Sequence, residues 1–194
     1  MDETGVRIVP SNDSTMTKKG SKQVEIIGLD DKRQITAVMA CSLTGELLPI
    51  QLVYGGKTEK CHPRYDFPTD WHITHSPNHW ANTATTIEWI EHILVPFLEK
   101  KKQDLQIPPE QPSLCILDLF RAHRVEEVID VFKKHNIRVT FVPGGCTGEV
   151  QPLDLSGNVE FKAELNTSWY ASQITDQPDD PAPIKIDVRL SALK

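Results

Sequence analysis

The sequence predicts an α/β fold built on a mixed sheet flanked by helices. Three observations carry this. Segments rich in Val, Ile, Leu, Thr and Tyr dominate the first third and lie only a short turn apart. An amphipathic helical stretch follows, and beyond it short apolar runs alternate with helical patterns. Close-set strands form an antiparallel meander, whereas alternating units add parallel strands.

The strand segments of the first third are QVEIIGL (23–29), QITAVMAC (34–41) and ELLPIQLVY (46–54), separated by DDKR and SLTG turns. The next stretch, CHPRYDFPTDWHITHSPNHW (61–80), is rich in His, Pro and Trp and reads as a loop. Residues 81–103 read as a helix. Thr85 and Glu88 have capping-box spacing, and Ile90, Ile93, Leu94, Phe97 and Leu98 make one apolar stripe. Lys100, Lys101 and Lys102 suit its C-terminal dipole, and Pro96 is expected to kink it.

SLCILDL (113–119) has the form of a buried strand ending in a carboxylate. Val125, Val128, Ile129 and Phe132 mark a second helix, and IRVTFVP (137–143) another buried strand. The loop GGCTGEVQPLD leads into a third helix reaching about Gln173. ITDQPDDPAPIKI (174–186) has linker composition, so residues 1–173 read as the domain and 174–194 as a linker with the start of a further segment. The order β-β-β-α-β-α-β-α is that of a ribonuclease H-like fold with its first central strand truncated, because that strand has to lie before Asp2.

Composition narrows the function. Charged residues at 25% and hydrophobic ones at 39% are ordinary for a globular chain, not a disordered one. No apolar run is long enough to span a bilayer, and no signal peptide opens the chain, so a reducing intracellular compartment is expected. The four cysteines are scattered without a C-x-x-C pair, so neither a zinc framework nor a disulfide set is expected. Cys61-His62 reads as an incidental pair, and the four histidines of 61–80 as structural. A net charge of −6 argues against a nucleic-acid binder driven by electrostatics alone. It does not exclude a nuclease whose acidic centre is neutralised by bound metal.

Three aspartates stand out by position: Asp2 at the start, Asp118 at the end of an apolar strand, and Asp154 after a Gly-rich loop. Clustered carboxylates repel and raise one another's pKa, a penalty that hard cations remove. Two such ions about 3.5–4 Å apart activate an attacking oxygen and stabilise the leaving one in phosphoryl transfer. Taken singly, each Asp is an ordinary cap or turn residue.

The stretches MDETG (1–5), TGELLPIQLVYGGKT (44–58), NHWAN (78–82), ILDLFRAH (116–123), QPLD (151–154) and the following FK (161–162) decide between these. In that order they resemble the DDE superfamily endonuclease domain of the pogo, Tigger and jerky group of mariner-type transposases. The resemblance implies that Asp2, Asp118 and Asp154 are the catalytic, metal-binding residues, with Mg²⁺ or Mn²⁺, two ions, as cofactor. It implies DNA as the partner, contacted mainly through an upstream DNA-binding region, a nuclear location, and room for a second copy of the chain. It gives His123 an orienting or packing role and lets Gln151 and Thr147 shape the loop before the third Asp. Glu3 points away from Asp2 on a strand and reads as structural. Leu119-Phe120-Arg121 departs from the Asn and small residues many members have there. The implied activity is metal-dependent cleavage and strand transfer of DNA phosphodiesters. The alternative is a domesticated, silent domain that binds DNA or protein through the same fold.

Overall fold

A computed structural model describes residues 1–8, 33–146, 151, 153 and 157–175. The expected strand at 23–29, Thr147, Asp154 and the expected linker beyond Thr175 lie outside the described residues. Strands β1 (Asp2–Arg7), β2 (Gln34–Met39), β3 (Gln51–Gly55) and β4 (His72–Ser76) form one sheet in that order. The first two pairings are antiparallel and the third is parallel, so the sheet is mixed. A second, parallel pair joins β5 (Ser113–Leu117) to β6 (Ile137–Phe141) through the crossover helix α3 (Glu126–Lys134). The Met1 amine donates to the Ile116 carbonyl at 3.2 Å, which ties β5 to the start of β1.

Two expectations change. The residues from Asp2 onward are themselves strand, β1, which pairs with β2 along six residues, from Asp2 opposite Met39 to Arg7 opposite Gln34. DETGVR has no apolar run to announce a strand. Its order comes from the backbone ladder with β2, whose residues Ile35 to Met39 are all buried. The second change is that 61–80 is not all loop, since HITHS forms β4. Its buried residues are the polar Thr74 and Ser76, and the Ser76 hydroxyl donates to the Trp80 carbonyl at 2.7 Å. Strand β3 is also shorter than expected. An isolated bridge between Cys41 and Leu47 precedes it.

The long helix forms as α1 (Thr83–Trp89), a π-helical turn (Ile90–Leu94) and α2 (Val95–Asp104). Its capping box starts at Asn82, not at Thr85. The Asn82 side chain accepts from the Thr85 N–H at 3.1 Å, and the Thr85 hydroxyl accepts from the Asn82 N–H at 2.9 Å. The widened turn sits directly before Pro96, which has no N–H to donate and whose ring crowds the carbonyl one turn back. Asn82→Ala should therefore destabilise the protein by about 1 kcal/mol, read as a lower urea midpoint at unchanged m. An unchanged midpoint would show that the cap contributes nothing.

Helices cover both faces of the sheet. Trp89, Ile90 and Ile93 pack with Val38, Val53, Leu117, Val128 and Phe132 on one face. On the other, Ile35, Ala37, Met39 and Leu52 meet Leu153 and Phe161, the latter from α4 (Asn158–Thr175). Cys115 is core, as expected, and burial pushes its thiol up to about 11.

Candidate functional site

Successive side chains of a strand point to opposite faces, and β1 uses both at its first two positions. Asp2, only 7% exposed, accepts a short hydrogen bond from the Asn158 side-chain amide at the start of α4. Glu3 looks the other way, its Oε1 lying 3.3 Å from Nε2 of His123. Asp118 sits just past β5, where the chain leaves the strand. The Phe120 N–H donates to its Oδ1 at 3.2 Å, and His123 Nδ1 lies 2.8 Å from the same oxygen. The bulky Leu119-Phe120 step thus forms the turn that holds the carboxylate.

His123 is 1% exposed, and a buried imidazole ordinarily loses its proton. Here burial lowers its pKa, but the contacts with Asp118 and Glu3 outweigh this and raise it to about 9. The ring is therefore an imidazolium at neutral pH, set between two carboxylates. Burial acts on Asp118 to raise its pKa. The His123 contact, the Phe120 N–H and the positive charges of His123 and the N-terminus win, holding it below the usual carboxylate range. Asp118 is an anion at neutral pH.

Asp154 lies outside the described residues, but residues on either side of it in sequence are described. Gln151 is buried and its amide donates to the Met1 carbonyl at 3.4 Å. Leu153 is core, and Asn158 holds Asp2. The end of β5 also reaches Met1, through the Ile116 carbonyl. Ile116, Gln151 and Asn158 therefore all meet the chain at Met1 and Asp2.

Glu3, read from the sequence as structural, is joined to Asp118 through His123. That link escaped sequence reasoning because Glu3 and His123 are far apart in the chain. Asn158 was missed too, although it follows Asp154 by a helical spacing of four, a usable signal.

A family model described as DDE superfamily endonuclease matches residues 32–193. The chain belongs to that family. Among curated relatives, the human "Pogo transposable element with KRAB domain" is 24% identical over 155 residues, which are 79% of this chain and 24% of that protein. The mouse "Jerky protein" is 23% identical over 125 residues, 63% of this chain and 22% of that protein. A Cochliobolus lunatus protein named "MFS-type transporter clz9" is 23% identical over 127 residues, 13% of its length. Among the described residues, no helix is long and apolar enough to cross a membrane. The chain spans about a quarter or less of the curated relatives it matches. No solved structure matches it significantly. Its mixed sheet and helices are consistent with a DDE nuclease fold, and the chain is a transposase-derived DDE domain.

Proposed function

We propose that this DDE domain is the catalytic part of a nuclear transposase that cleaves and joins DNA phosphodiesters, on a ribonuclease H-like arrangement of its sheet. In this reading Asp2, Asp118 and Asp154 hold two Mg²⁺ or Mn²⁺ ions, and residues 1–173 act as the unit with 174–194 as the linker. One observation supports it: Ile116, Gln151 and Asn158, which flank Asp118 and Asp154 in sequence, all hydrogen-bond to Met1 or Asp2. An all-carboxylate set, with Asp118 kept anionic, is the donor chemistry that hard divalent cations take. Bound there, the ions supply charge stabilisation and a more acidic attacking hydroxyl for in-line phosphoryl transfer.

The chain's own residues prepare the site. Asn158 fixes the Asp2 carboxylate, the Phe120 N–H fixes Asp118, and His123 holds Asp118 while offsetting part of its charge. With a net charge of −6, duplex affinity is left to a separate DNA-binding region of the gene product. The test is nicking of a duplex carrying the element's terminal repeats by the full gene product. Nicking should appear with Mg²⁺ or Mn²⁺, be weak with Ca²⁺, whose loose coordination positions the attacking oxygen poorly, and vanish with chelator. Nicking that persists in chelator would overturn the reading. Folded protein that fails to nick with any of these ions would support the silent, domesticated one.

A further inference from the structure

The β3–β4 connection raises a second question. Parallel strands need a long crossover, usually packed by a helix. Between Gly55 and His72 the described chain offers only a short 3₁₀ turn, Glu59–Cys61. The loop nevertheless folds back onto the sheet at one place. Cys61 and His62 leave that turn to meet His75, which lies opposite Tyr54 in the β3–β4 register.

One ligand atom from each of Cys61, His62 and His75 lies within 4.8 Å of the other two. His62 Nε2 and His75 Nδ1 are 3.1 Å apart. Zn–N bonds of about 2.0–2.1 Å at a tetrahedral angle put two nitrogens about 3.3 Å apart, so the pair needs to open only slightly. All three residues are half-buried, which leaves an entry path and a face for a fourth, water ligand.

The surroundings suit ligation. Gly56 lets Cys61 approach. A Cβ at Gly56 would stand 2.5 Å from the Cys61 Cβ and 2.6 Å from its sulfur.

We propose that Cys61, His62 and His75 form a binding site for a single Zn²⁺ ion that clips the helix-free β3–β4 crossover to strand β4. One thiolate and two imidazoles are borderline-to-soft donors that favour zinc over magnesium, so this site is chemically distinct from the carboxylates. Its failure and theirs are separable.

Co²⁺ serves as the spectroscopic probe on the intact chain. One equivalent should give a thiolate-to-cobalt charge-transfer band together with tetrahedral visible bands. Zn²⁺ should displace both and Mg²⁺ neither. Cys61→Ser should abolish the charge-transfer band, and His62→Gln or His75→Gln should weaken binding at least tenfold. Cys41→Ser and Asp118→Asn should leave the spectrum unchanged. Serine is no larger than cysteine, so the Gly56 contact survives, and circular dichroism of each variant checks its fold. Micromolar Zn²⁺ should also raise the melting temperature of the parent chain and not that of Cys61→Ser. The proposal fails if no charge-transfer band forms, if the band survives Cys61→Ser, or if Cys41→Ser removes it.

Discussion

Asp118→Asn is expected to abolish DNA nicking by the full gene product while leaving it folded. The amide keeps the shape of the carboxylate, and its oxygen can still accept from the Phe120 N–H that now stands 3.2 Å from Oδ1. What it loses is the negative charge, and with it both the hold on a divalent ion and the pairing with His123. Even residues that merely support a metal ligand are worth about 10–100-fold in activity or affinity, so losing the ligand itself should cost more than a hundredfold. Asp154→Asn and Asp2→Asn should behave alike. Single-turnover nicking in Mg²⁺, alongside melting curves, measures this. Equal rates for the parent and all three variants would overturn the carboxylate mechanism.

The second large effect concerns stability. His123 is buried between Glu3 and Asp118, and its folded pKa of about 9 lies above the ordinary histidine value near 6.5. The folded chain therefore holds that proton more tightly than the unfolded one. The resulting stabilisation is complete below about pH 6.5 and is lost as the pH rises through about 9. At about 1.4 kcal/mol per pKa unit, the loss is about 3.5 kcal/mol as an upper bound. Asp118 acts in the opposite direction, since its lowered pKa adds stability that is lost only in acid. Urea midpoints should thus be highest in mildly acidic to neutral buffer and decline into the alkaline range. His123→Gln should remove the alkaline decline. It should also lower stability at neutral pH by about 3–5 kcal/mol, the cost of breaking a buried ion pair from one side. A parent profile that stays flat from neutral to pH 10 would refute this role.

Much of the architecture was legible where burial writes a period into the residues. The stripe through Ile90, Ile93 and Leu94 marked the long helix, and SLCIL and IRVTF marked two strands that turn alternate positions to the core. Strand β4 was not legible. HITHS buries a Thr and a Ser, whose hydroxyls are tolerated inside because partners such as the Trp80 carbonyl satisfy them. Strand β1 hid for a related reason, being carboxylates, Thr and Gly held by a ladder to a well-buried neighbour. At the site, Asp118 showed itself by ending an apolar run. The Glu3–His123 contact and the meeting of Cys61 and His62 with His75 depend on strand pairings between distant parts of the chain, which no local pattern records.

The alignment of β1 on β2 has a consequence for heredity. Asp2 and Glu3 are neighbours sent to different addresses, one to Asn158 and the other to His123, and only the six-residue pairing with β2 assigns which goes where. A slip of one residue would exchange the two carboxylates and misdeliver both. The fidelity of that assignment is stored in Ala37, Val38 and their neighbours, apolar residues that carry no chemistry of their own. Selection on the acidic site therefore reaches into strand β2, and a gene could lose its chemistry there with every acidic residue intact.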